Sequence, residues 1–375
     1  MTSILSEISK PRKGASLVID YKNCNRYRVV AIEPDGSKTA YYFTAPIYNI
    51  RTRKAVDMKF YAKGETTYST GSNANITIAG NVRMENAEGS CVVSLANRAK
   101  YISDHEVVCG NDRIYPTTNG IAIRKLCNEG KAYTFSVEIS KPFLEIRAND
   151  KCFALMSERF RPFVSFSCIG TTDVKGNVIS PAKISYQKIS DRKFTVSVTP
   201  CSPIGKSVCI EANLYEPKLF QDTTVESKNV KVNNAFGGVG FIGTTNEFGE
   251  QWLYSRPDFT KMSELNDKKI LHAVLHLPKL NTGAIELSAS KVAARFCSFG
   301  SKWDNKIAEG VIFNESQITD HYIDLNLLPV LADKQGRLLQ GEGFILKAKK
   351  KNSGFSVIAT GDNYLYPQIL EINYR

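Results

Sequence analysis

No apolar run in the sequence approaches the ~20 residues needed to cross a bilayer as a helix. Its apolar stretches, as around Leu325 to Leu331, end after a handful of positions, so membrane insertion is not expected. Met1 to Ser16 carries Lys10, Arg12 and Lys13 but neither an apolar core nor a small-residue cleavage site, and does not read as a secretory leader. Histidine is scarce, with His105, His272, His276 and His321 the only four, which leaves few candidates for the base of a catalytic triad. Cysteine is present nine times, but the number is odd, the positions are scattered and no C-x-x-C occurs. Oxidising compartments favour paired frameworks, so reduced core thiols in a protein made in the cytoplasm are expected. A Walker loop, a G-x-S-x-G elbow, and zinc-finger, RRM and helix-turn-helix signatures are all missing. No catalytic residue, metal ligand or cofactor is therefore assigned, and the expectation is a protein that is not an enzyme.

What is present is an average globular composition, 42% hydrophobic over 375 residues, enough chain to bury a core without disulfides or metal. Lys and Arg exceed Asp and Glu by 49 to 37, a net charge of +12. The basic residues are spread along the chain. The dense run Lys347 to Lys351 precedes Asn352-Ser353-Gly354 and reads as a solvated turn, so no nucleic acid is expected, and an anionic wall polymer stays open as a partner.

Patterning has a period of two. Tyr27 to Glu33 and Ser37 to Thr44 flank Pro34-Asp35-Gly36 as a hairpin. Tyr133, Phe135, Val137 and Ile139 share a strand face; so do Val164, Phe166 and Cys168, then Phe194, Val196 and Val198, then Val208, Ile210, Ala212 and Leu214. Such alternation predicts half-buried antiparallel strands. Helical signals are few: Asp258 to Lys269, with Asp258 as cap and Phe259, Met262 and Leu265 inward, and a single turn near Pro329. The predicted class is all-β, with two or three β-sandwich-like domains in tandem. The expected divisions are an exposed arm at 1–20, a β-domain at 21–118, an immunoglobulin-like sandwich at 119–205 and a last sandwich at 206–375.

Gly238-Val-Gly240-Phe-Ile-Gly243 satisfies the dinucleotide fingerprint by letter, but no helix follows to present amides to a pyrophosphate, so a glycine-rich turn and strand is expected. His272 and His276 have metal-site spacing only on a helix. On the strand Ile270 to Pro278 they lie ~13 Å apart and read as structural. Aspartates 222, 258, 304, 324 and 362 are well separated in sequence and read as caps and turn formers. Asn75-Ile-Thr77 and Asn314-Glu-Ser316 match glycosylation sequons that a chain without a leader would not present to the machinery. Trp252, Tyr254 and Trp303 are candidates for stacking on sugar rings, with core anchoring as the competing reading.

From Leu214 onward the order of features resembles the DNRLRE type of β-sandwich module, a carbohydrate-binding-like fold of bacterial surface and phage structural proteins. The stretches are Gln221 to Val225, Asn233 to Gly237 leading to Gly240-Phe-Ile-Gly243, Leu253 to Phe259, Ile270 to Leu277, His321 to Asn326, and Phe344 to Tyr374. Thr360-Gly-Asp-Asn363 stands where a Ser-Arg-Glu-like sequence is usual, so no family ligand is carried over. Tyr41 to Asn49 and Asn73 to Gly80 look like phage-tail or baseplate β-modules. The resemblance implies a structural and adhesion component of a phage tail or phage-derived contractile particle, associated with baseplate or tail fibre. Its implied partners are other tail or baseplate proteins, further copies of itself, and host cell-wall polysaccharide or teichoic acid bound by the C-terminal module. A cell-surface adhesin or stalk segment, and a glycan-degrading enzyme with a binding module, stay open as alternatives.

Overall fold

The computed structural model describes residues 18–49, 54–55, 57–65, 67–71, 74–86, 89–95, 97–126, 131–158, 161–203, 207–215, 218–351 and 354–375. The chain is all-β, and among the described residues every strand pairing between its elements is antiparallel. Four large sheets, here I to IV, are stacked face to face. Sheet I holds strands from Asp57–Ala62 to Lys193–Pro200, and sheet II those from Lys100–Ser103 to Ser207–Leu214. Sheet III runs from Phe220–Glu226 to Phe355–Ala359, and sheet IV combines Val18–Ile19, Arg28–Ile32 and Lys38–Phe43 with strands from the C-terminal third. One apolar core fills the space between I and II, a second fills III and IV, and a smaller one joins II to III.

Alternation explains how sheet II serves two cores. Along Ser207–Leu214, Val208, Ile210, Ala212 and Leu214 face sheet I, while Cys209 faces sheet III. All eight residues of that strand are buried. The pattern predicted one wet face for such a strand; instead its polar alternates, Ser207, Glu211 and Asn213, are covered by the second sandwich. Gly120 opens the neighbouring strand where a Cβ would stand 2.1 Å from the Ala212 carbonyl oxygen, so only glycine permits that approach.

Strand pairing crosses each of the expected divisions. Asp112–Pro116 pairs with Gly120–Leu126 across residue 118, and Gly120–Leu126 pairs with Ser207–Leu214 across residue 205. Residues 119–205 are therefore not a separate sandwich, because their strands are split between sheets I and II. The 21–118 unit is divided too. Lys38–Phe43 pairs over its whole length with the last strand, Ile369–Tyr374, which pairs on its other edge with Ile270–Pro278. The C-terminal sandwich is thus completed by the N-terminal hairpin, and 206–375 is not self-contained. Of the expected arm, Val18–Ile19 pairs with the Arg28–Ile32 strand, and 1–17 lie outside the described residues.

Local signals fare better than boundaries. The Arg28–Ile32 and Lys38–Phe43 hairpin turns through Gly36 at φ 80°, where Asp35 Oδ1 accepts from the Ser37 amide at 2.9 Å. Phe259–Leu265 forms two short 3₁₀ turns kinked at Met262, the first capped by Asp258, whose side chain accepts from the Thr260 amide, with Met262 and Leu265 buried. Leu328–Leu331 forms one helical turn around Pro329.

Candidate functional site

The strand Gly249–Pro257 organises one face of sheet III. Leu253 points into the core shared with sheet IV, so Trp252, Tyr254 and Arg256 alternate onto the opposite face. Across the pairing with Phe220–Glu226 they stand beside Val225, Thr223 and Gln221. The three aromatic candidates do come together. Trp252 and Trp303 meet edge to face at 5.3 Å, and Tyr254 packs in the same cluster with Phe296 and Ile345. Tyr254 is fully buried and donates its hydroxyl to the Ile307 carbonyl at 2.8 Å, which removes it from any stacking surface. The two indoles are half-buried. Lys306 places its ammonium 4.0 Å from the Trp303 ring centre and 5.2 Å from that of Trp252, so a cation already braces the pair.

At the other end of this face, ~13 Å along the strand from Trp252, Arg256 lines a groove of about 370 Å³. Its walls include Gln221, Phe259, Arg295, Gln340 and Glu342. Arg256 Nη2 donates to Gln221 Oε1 at 2.8 Å, while its buried Nε has no partner. Burial, then repulsion from Arg295, lowers the basicity of Arg256, with Glu342 and Asp258 acting the other way. Asp258 Oδ1 is engaged by the amide and hydroxyl of Thr260. Among the described residues, neither arginine of the groove has an ion-pair partner. The mix of guanidinium, amide, hydroxyl and one aromatic edge matches polar, oxygen-rich ligands.

Between sheets II and III lies a third feature, a seam of buried charge. Lys151, from the turn before Cys152–Glu158, forms an ion pair with Glu226 and donates to Gln251 Oε1 at 3.1 Å; Lys151 and Glu226 are 2% and 1% exposed. Lys218 pairs with Asp362, and the Asp222 carboxylate accepts from the Gly361 amide. Burial raises both carboxyl pKa values and the mutual repulsion of the pair adds to that for Asp362, while Lys218 offsets part of it. Glu211 Oε2 accepts from Asn213 at 2.8 Å and from the Tyr364 amide at 3.1 Å, and burial pushes its pKa up to about 7. Asp222 and Asp362 are thus brought close, but neither faces solvent.

The remaining sequence motifs resolve simply. Gly238 donates its amide to Ser167 Oγ at 2.6 Å, and Val239–Thr245 is a strand turning directly into Gly249–Pro257, with no helix for a pyrophosphate. Ile270–Pro278 is a strand, as its sequence reads, and His276 lies on the outer face of sheet IV between Asp324, at 2.8 Å, and Glu371, at 3.6 Å. Burial lowers the pKa of that imidazole, but the two carboxylates outweigh it and hold the value at about 9. No cluster with metal-ligand character occurs among the described residues. Eight cysteines are free thiols, and Cys127 lies outside the described residues. No described helix is long and apolar enough to cross a membrane.

Sequence reasoning missed the groove and the seam. The groove is assembled from four separate segments; Gln221 and Arg256 to Phe259 lay in noted motifs, but nothing in the sequence joined them to Arg295 or to Gln340 and Glu342. The seam had a faint signal, since Lys151 and Lys218 border apolar strands. No family model matches this chain, and no curated protein sequence matches it either.

Proposed function

We propose that this protein is a structural and adhesion component of a phage tail or phage-derived contractile particle. Its C-terminal sandwich faces outward toward the host cell wall. The observation that carries this reading is an open edge. Glu309–Glu315 is the outermost strand of sheet III, with Val311 75% and Ile312 58% exposed. An unpaired edge with apolar side chains is an aggregation hazard in a free monomer and a docking strip in an assembly. The buried seam supports the same reading, because paired charges between sheets II and III fix the geometry of the two sandwiches and make a stiff spacer. Its partners are then other tail or baseplate proteins and further copies of itself, with wall glycan or teichoic polymer as ligand. Many weakly binding copies on one particle gain avidity without new contacts.

The test is composition of purified particles. Gradient-banded particles from producing cells, digested and quantified by mass spectrometry, should contain this chain in several copies per particle. Recovery only in the soluble fraction, or only in washed cell envelopes, contradicts the reading, and the second result favours a surface adhesin.

A further inference from the structure

The groove at the end of the Gly249–Pro257 strand combines two features that a merely structural cleft does not need. Arg256 and Arg295, from different segments, line the same space, and neither has an ion-pair partner among the described residues. Arg256 Nε is buried without an acceptor, although its Nη2 is tied to Gln221. Burial puts that Nε out of reach of a groove ligand, so an oxyanion would be met by the outer nitrogens of the two guanidiniums, relieving their repulsion. A phosphodiester suits this, because its two non-bridging oxygens can each meet a separate guanidinium fork while its two ester arms run on along the groove. Around that point the groove offers Gln340, the Thr260 and Ser263 hydroxyls and the Phe259 ring, partners for hydroxyl groups and for C–H surface. Asp258 and Glu342 balance the two arginines, so the groove forms no extended positive track of the kind that nucleic acid requires.

We propose that this groove binds a phosphodiester of a polyol-phosphate polymer, seated between the Arg256 and Arg295 guanidiniums. This rests on the reading that the C-terminal sandwich meets a cell wall, and it names the ligand class and the site.

The experiment is calorimetric titration of the full chain with short glycerol-phosphate oligomers. Equal-charge polyuronate oligomers and single-stranded DNA serve as competitors. The oligomer should bind wild type, and Arg295→Glu should weaken it by at least about tenfold, with Arg295→Lys intermediate. Arg295 is exposed, so both variants should keep the native circular dichroism and melting temperature. Arg256→Lys is the second variant, and it should weaken binding comparably if it remains folded. Absence of binding at millimolar oligomer, wild-type affinity in Arg295→Glu, or equal affinity for uronate or DNA would each overturn the assignment. None of these outcomes bears on whether the chain is built into a particle, which the particle composition measures separately.

Discussion

Lys151 carries an ammonium into a site only 2% exposed, against the Phe248 ring and the Glu226 carboxylate. Burying two charges costs several kcal/mol before their attraction repays it, so the pair fixes geometry more than it adds stability. Lys151→Ala should destabilise the protein by about 3–5 kcal/mol, because it strands Glu226. The double change Lys151→Met with Glu226→Leu should recover most of that loss in urea unfolding. Equal losses in the two variants would contradict the pairing. The carboxyls of the seam also set a pH dependence. Unfolded Glu211 releases its proton near the ordinary ~4.3, whereas the folded protein holds it to about 7. Between those values the folded state binds more protons, so stability falls as pH rises. Raised pKa values at Asp222 and Asp362 act in the same direction. His276, held at about 9, contributes stability that is fully present below its unfolded pKa of 6.5 and is lost as pH rises through 9. Denaturation curves should therefore show lower stability at about pH 8 than at about pH 5, and Glu211→Gln should flatten the slope. A slope of opposite sign, or one unchanged in that variant, would refute the assignment.

At the scale of elements, the last strand decides which fragments can fold. Ile369–Tyr374 is hydrogen-bonded on one edge to Lys38–Phe43 and on the other to Ile270–Pro278. A 206–375 fragment loses the first partner and uncovers Tyr42, Val30 and Ala40 positions of the shared core. It should show no cooperative urea transition; a sharp transition with native strand content would mean the N-terminal hairpin is dispensable. The hairpin, the Asp258 cap and the faces of Tyr133–Ile139 and Ser207–Leu214 were legible in the sequence, since each rests on spacing and turn chemistry within a few residues. Which strands pair was not, because that is fixed by contacts between positions more than 300 apart, such as Tyr42 opposite Leu370. The polar alternates Glu211 and Asn213 misled for a related reason. A half-wet strand and a strand sandwiched against a polar seam share one sequence pattern. Of the candidate site, the Trp252 and Trp303 pairing was visible only as residue type, and the Arg256–Arg295 groove required the fold.

For the whole molecule, shared apolar cores and the buried charge seam join the four sheets, with an open apolar edge at Val311 and Ile312 and an arginine-lined groove on the C-terminal sandwich. Such a body could hold a binding face at a fixed distance from its attachment, as the proposed particle component would require. The most direct measurement is immunogold electron microscopy of native particles with antibody to this chain. The account predicts gold at the wall-facing end of the tail or on its fibres, at several positions per particle. Gold absent from intact particles, or distributed over the cell surface without particles, would contradict it.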